Sequence, residues 1–188
     1  MEKFQNTFRV PSARLKNYDY GSHGLYFITI CTKNKEHYFG SIVETHNNAS
    51  PIVNTKPYPE THCYASLRET DIGKIAIECW RKILEFFPFV ELDQFVLMPN
   101  HIHGIIFINK PDYTEWKENK FGPQSQNLAS IIRAFKGAVK RYANKNNIVF
   151  EWQERYYDQV ITSPKELENI RQYIFDNPKR WLDSRRDA

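Results

Sequence analysis

Cysteine is scarce. The 188 residues hold three, Cys31, Cys63 and Cys79, an odd number with no C-x-x-C spacing. That argues against a disulfide framework and fits a reducing compartment. No run of ~18 apolar residues occurs, so no membrane-spanning helix is expected. The opening "MEKFQNTFRV" lacks the apolar core of a signal peptide, and the expectation is a soluble, cytoplasmic protein with no membrane partner. Internal repeats and low-complexity tracts are absent too. Charge of one sign is only in mild excess, with a net +4 and a pI near 8.9. This permits a nucleic-acid partner without demanding one. One local absence is sharper: no Asp or Glu falls between Gln124 and Phe150.

Apolar residues make up 41 % and aromatics 15 %, enough for a packed core in a single domain spanning 1–188. Residues 1–22, with Arg9, Arg14 and Lys16, read as a basic arm. "GLYFITICT" (24–32) is β-branched and aromatic and reads as a central strand. Residues 44–66 carry three prolines and three asparagines and read as a loop or hairpin insertion. "TDIGKIAIECWRKILEFFP" follows as a helix capped by Thr70 or Asp71. Its predicted stripe is Ile72, Ile75, Ala76, Cys79, Ile83 and Phe86, and Pro88 ends it. "FVELDQFVLM" and "HIHGIIFIN" are strand-like runs joined at Pro99-Asn100, an antiparallel pair. A polar loop (110–126) leads to a second helix, "LASIIRAFKGAVKRYANK". The last strand lies within "WQERYYDQVI". Ser163 to Glu166 looks like a capping box with proline at N1, opening a final helix. That helix is expected to stop near Asn177, because Pro178 disfavours helical geometry before it. The order suits an α+β fold: a ferredoxin-like sandwich, an antiparallel sheet with helices packed on it and a C-terminal helix.

Three features carry chemistry. His101 and His103 alternate with Ile102 on a strand, so both imidazoles share one face and could bind one metal ion. On spacing alone, one hydrogen-bonded core histidine and one exposed histidine is the commoner arrangement. No Cys or Asp nearby completes a zinc site, so a further ligand must come from elsewhere. On the final helix Leu167, Ile170 and Ile174 form the apolar stripe, and Asn169, Tyr173 and Asn177 follow its flank at four-residue steps. Taken alone, Tyr173 reads as an amphipathic packing tyrosine and Asn177 as a helix C-terminal residue. On the middle helix Leu128, Ile131, Ile132, Phe135, Val139 and Tyr142 face the core. Arg133, Lys136 and Lys140 share the adjacent face. Three positive charges without an acidic neighbour suit a phosphate backbone; a solvated face is the ordinary alternative. Trp152, Tyr156, Tyr157 and Trp181 could stack on unpaired bases or belong to the core.

Taken together, "FVLMPNHIHGIIFI", "LASIIRAFKGAVKRYANK" and "WQERYYDQVITSPKELENIRQYIFDNPKRW" resemble the single-tyrosine transposases of the HUH class. They are most similar to the REP-associated tyrosine transposases. "GLYFITICTKNKEHYFG" fits as well, and the resemblance runs from about Arg14 to Trp181, excepting 44–66. It places His101 and His103 on the metal-binding pair and Tyr173, in "QYIFDNP", on the catalytic tyrosine. Asn177 falls where insertion-sequence relatives carry a metal-binding glutamine, so here a shorter side chain would be the third ligand.

The resemblance implies metal-dependent nicking and strand transfer of single-stranded or hairpin DNA through a 5′-phosphotyrosine link. Mg²⁺ or Mn²⁺ would be the cofactor, and Arg133, Lys136 and Lys140 would contact the DNA. A tyrosine hydroxyl is a poor nucleophile at neutral pH, and a divalent cation that polarises the phosphate answers that need. Two other functions remain open: a module that binds structured single-stranded nucleic acid without catalysis, and a metal-dependent phosphodiesterase using water. The sequence allows a monomer or a homodimer.

Overall fold

The computed structural model describes residues 3–4, 7–8, 15, 18–44, 65–114 and 125–186, with residues 3–4, 7–8 and 185–186 as backbone only. Two short strands, β1 (Lys3–Phe4) and β2 (Thr7–Phe8), pair antiparallel. The main sheet begins at β3 (Gly24–Cys31). β4 (Gly40–Glu44) and β5 (Ala65–Glu69) follow as a separate antiparallel hairpin. Next come α1 (Asp71–Arg81), the short α2 (Ile83–Phe86), β6 (Val90–Met98) and β7 (His101–Ile108). The chain closes with α3 (Leu128–Lys145), β8 (Tyr157–Ile161) and α4 (Pro164–Arg186).

The four-stranded sheet has the order β6-β7-β3-β8, with every neighbouring pair antiparallel. Leaving out the hairpin, β3-α1-β6-β7-α3-β8 is the ferredoxin-like split βαβ plan. β7 sits between β3 and β6, and β3 between β7 and β8. The two hairpin strands flank the segment 44–66 expected as a loop or hairpin insertion, of which residues 45–64 lie outside the described residues. So does 115–124 of the polar loop.

The sheet buries both faces. Tyr26, Ile28 and Ile30 of β3, with Ile102 and Ile106 of β7, meet α1 and α3 in the main core. Phe27 and Ile105 point the other way and meet Leu167, Ile170 and Ile174 of α4. A strand between two layers of helix needs apolar residues on both sides, which is why "GLYFITIC" and "HIHGIIFI" read as near-continuous apolar runs. Among the described residues no helix is long and apolar enough to cross a membrane.

Several local expectations are corrected. Residues at the end of the predicted arm belong to the body: Asp19 and Tyr20 are buried, and Tyr18 packs edge-on against Tyr20. The α1 stripe is rotated. Its buried set is Ile72, Gly73, Ala76, Ile77 and Trp80, with Ile83 following in α2. Ile75 and Cys79 are only partly covered, and Phe86 is exposed. The reason is Trp80, whose ring stacks on Phe95 at 4.8 Å and meets Phe135 edge-on. It is the largest apolar side chain on α1, and burying it fixes the helix rotation.

The final helix does not stop at Asn177; it continues through Pro178 to Arg186. Proline removes a single backbone donor and biases the residue before it without forbidding a helix. Beyond it, Trp181 and Leu182 pack against the main core, and that burial outweighs the local bias. At the other end, Ser163 accepts from the Glu166 amide as expected. The Glu166 carboxylate reaches back one residue further than a capping box requires, to the Thr162 amide at 2.8 Å.

Candidate active site

His101 and His103 open β7 immediately after the Pro99–Asn100 turn. Strand alternation sends Ile102 into the main core, where it is wholly buried, and turns both imidazoles toward α4. Their ring centroids are 4.6 Å apart. β3 supplies the floor: Thr29 lies opposite His103 and Cys31 opposite His101. The Phe27 ring stacks on His103 at 5.5 Å.

Helix α4 lies across this face. Leu167, Ile170 and Ile174 seat it on Phe27, Ile105 and Ile161, which brings the flank of the stripe over the histidines. Tyr173 Oη stands 3.3 Å from His103 Nε2. Its ring meets Phe27 and His103 edge-on. With 37 % of its surface exposed, Tyr173 is open to a substrate while His103 is buried beneath it. One turn later Asn177 is buried, lies beside His101, and donates from Nδ2 to the Tyr173 carbonyl at 3.2 Å. The structure therefore brings together all four residues singled out on β7 and α4.

Burial governs the electrostatics. It lowers the pKa of His101 to about 4, with Asn177 opposing and the Lys35 charge adding to the shift. It lowers that of His103 to about 3, with His101 adding to the shift. Both imidazoles are neutral at physiological pH, the form that ligates metals. Their inner nitrogens are engaged: His103 Nδ1 lies 2.8 Å from Thr29 Oγ1, and His101 Nδ1 lies 2.7 Å from Asn100 Oδ1.

No group of three His, Cys, Asp or Glu side chains that could hold a metal exists among the described residues. The donors present are two neutral imidazoles and an amide. That set could supply part of the coordination shell of a divalent ion, with open positions for oxygens from water or a phosphate. It does not fit a closed structural zinc site.

The basic face of α3 is less open than its spacing implies. Lys136 Nζ donates to the carbonyls of Gln153 (2.6 Å) and Glu154 (3.2 Å), and Lys140 Nζ to that of Phe150 (2.5 Å). Partial burial lowers the Lys136 pKa. Arg133 is exposed. Both lysines thus brace the segment that runs into β8. Among the aromatics, Trp152 is packed against Phe39, Phe135 and Phe150. Tyr156 packs against the main core, and Tyr157 is exposed at the sheet edge beside Phe27. Trp181 stands over the site, 6.0 Å from His101 and 5.5 Å from His37.

Sequence reasoning did not single out Thr29, Asn100 or Phe27 for this site, nor Arg180, whose guanidinium lies 5.6 Å from the Tyr173 ring centre. Thr29 had a signal, as the one small polar side chain inside the otherwise aliphatic and aromatic "LYFITI". Asn100 was covered by its turn reading.

No family model matches the sequence. An uncharacterized protein of Haemophilus influenzae is 38 % identical over 179 residues, covering 90 % of this chain and 88 % of that protein. Among solved structures, that of a REP-associated tyrosine transposase bound to a REP hairpin superimposes with a TM-score of 0.50. Its sequence identity is 16 %, and the match covers 93 % of this chain and 74 % of the other.

Proposed function

The chain belongs to one family with the uncharacterized Haemophilus influenzae protein, and we propose that it is a metal-dependent single-strand DNA nickase and strand transferase. Tyr173 is the nucleophile, and His101, His103 and Asn177 form the metal site. The observation that carries this reading is the placement of Tyr173 Oη 3.3 Å from His103 Nε2. It puts the hydroxyl of a partly exposed tyrosine above two neutral imidazoles, His103 buried and His101 half-buried. The shared fold with a transposase bound to a hairpin supports the substrate class, hairpin-forming single-stranded DNA.

In the reaction, Tyr173 Oη attacks a backbone phosphorus in line with the departing 3′ oxygen. A Tyr173–O–P bond forms, the P–O3′ bond breaks, and the proton given up by the phenol is balanced by the one gained by the 3′-hydroxyl. A divalent ion, when bound, would polarise the phosphate and screen its developing charge. His101, His103 and Asn177 would hold the ion, and Phe27 and α4 fix the tyrosine's approach. Attack by a 3′-hydroxyl on the phosphotyrosine reverses the step, so rejoining needs no ATP. Arg133, Lys136 and Lys140 supply positive potential along the DNA backbone. A carbonyl contact does not neutralise an ammonium group, so the braced lysines still attract phosphate.

The test is a gel assay with labelled hairpin DNA and Mn²⁺ or Mg²⁺. A denaturation-resistant protein–DNA band is expected, lost with chelator and lost in Tyr173→Phe while hairpin binding persists. Turnover without a band in Tyr173→Phe would replace this mechanism with water attack. Hairpin binding with no nicking in the wild type under either metal would leave a binding module.

A further inference from the structure

The two imidazoles can serve one ion only if both present the same kind of nitrogen to it, and a neutral histidine has two tautomers. Residues outside the proposed ligand set fix that choice. Asn100 Nδ2 donates to the Lys35 carbonyl at 3.0 Å, which leaves Oδ1 as the atom facing His101 Nδ1 at 2.7 Å. An amide oxygen only accepts, so His101 Nδ1 must carry the proton and Nε2 the lone pair. Asn100 is itself buried, and its carbonyl accepts from both the amide and the hydroxyl of Thr32 at 2.9 Å. The Lys35 carbonyl is aimed by a left-handed backbone, with φ of 56° at Lys35 and 55° at Asn34. Non-glycine residues hold that conformation only where surrounding structure enforces it.

Thr29 holds the matching place beside His103, where its hydroxyl, able to donate or accept, can take the Nδ1–H as the Asn100 oxygen does. Its hydroxyl lies 2.8 Å from Nδ1, on the neighbouring strand in direct register. The other ring nitrogen faces Tyr173 Oη.

We propose that Thr29 and Asn100 are positioning residues that lock His103 and His101 as Nδ1–H tautomers, so that both Nε2 lone pairs converge beside Tyr173. This deepens the reading of the site as a metal-dependent nickase and rests on it. Outer partners of this kind set ligand orientation and basicity, and their loss typically weakens metal binding ~10–100-fold.

The experiment has two readouts on full-length protein. Nitrogen-15 histidine NMR in chelator reports the tautomers, and titration with Mn²⁺ followed by electron paramagnetic resonance reports affinity. Wild type is expected to show Nδ1–H at both residues. Thr29→Val, which keeps the volume and removes the hydroxyl, should lose the fixed His103 tautomer and bind Mn²⁺ ~10-fold or more weakly. Thr29→Ser should restore both. Asn100→Ala should do to His101 what Thr29→Val does to His103, with thermal melts checking that each variant is folded. An Nε2–H tautomer in the wild type, or a Thr29→Val protein with unchanged tautomer and affinity, overturns the proposal. A wild type that shows both tautomers, with the variants releasing them, yet takes up no metal sustains the tautomer assignment and overturns the metal-dependent function instead.

Discussion

At the scale of single residues, the glycine of "NHIHG" belongs to packing. Gly104 follows the second histidine but points to the opposite face. A Cβ there would lie 2.5 Å from Trp80 Cζ2 and 2.7 Å from Cη2. The indole cannot retreat, because Phe95 stacks on one side and Phe135 abuts its edge. Gly104→Ala should therefore cost about 1–3 kcal/mol by overpacking, read as a lower urea midpoint with unchanged slope. Adduct formation per folded molecule should stay at the wild-type level. Wild-type stability would show that Trp80 has slack; a specific loss of adduct would mean that the sheet beneath the histidines has shifted. His103→Ala should do the reverse, keeping hairpin binding and abolishing metal-dependent nicking in the gel assay. Nicking that survives would remove His103 from the site. That His101 and His103 share one face, and that Tyr173 and Asn177 flank one stripe, was legible because strand and helix periods assign faces; their roles at a site came from the family resemblance and not from the periods. Thr29 and Asn100 were not legible, since their partners lie across the sheet or a turn, separations that no local pattern encodes.

At the scale of elements, α4 decides whether Tyr173 reaches the histidines. Three leucine and isoleucine residues seat it, and one ion pair sets its register. Arg171 Nε and Nη2 grip the two oxygens of Asp93 at 2.9 and 2.5 Å, with both side chains about four-fifths covered. Asp93 sits in the irregular stretch of β6 between Leu92 and Phe95, where the pairing register with β7 shifts. A bulge of this kind re-aims a side chain, and here it places the carboxylate under the helix. The two-pronged geometry and partial burial lift this pair above an ordinary surface contact. A double-mutant cycle of Arg171→Ala and Asp93→Ala in urea should give a coupling energy of about 2 kcal/mol. A value near zero would mean that apolar seating alone positions α4. The strands, α3 and the start of α4 could be read from sequence because apolar period and capping residues agree. The extension past Asn177 could not, because the burial of Trp181 and Leu182 that sustains it is tertiary. For β4 and β5 the sequence left loop and hairpin open and did not place the strands: their buried apolar residues, Ile42, Ala65 and Leu67, are few, and only the core they enter makes them strands.

At the scale of the whole molecule, the site makes the fold acid-sensitive. His101 and His103 have folded pKa values of about 4 and about 3, against ~6.5 in an unfolded chain. The charged group bearing on His101 is Lys35, which pushes its pKa the same way. Between those limits the unfolded state binds more protons than the folded one, so stability rises with pH across that window. Above about pH 6.5 the contribution is complete. As pH falls toward the folded values it drains away, at up to ~1.4 kcal/mol per pH unit for each imidazole. In chelator, urea unfolding at pH 7, 6, 5 and 4.5 should show a steady decline of roughly that slope or twice it. His103→Asn should reduce the slope by about one imidazole's share, ~1.4 kcal/mol per unit. A stability that stays level from pH 7 to 5 would show that the imidazoles reach water in the folded protein. That outcome would also weaken the case that their Nε2 atoms wait, neutral and dry, for a cation. With saturating Mn²⁺ the extra protection should be nearly the same at pH 7 and pH 5, because both lone pairs are already free in the folded protein, and should fade only as pH approaches the folded value of about 4. Metal protection that fades between pH 7 and pH 5 would mean that the ion sits on groups that titrate there, and not on these two imidazoles.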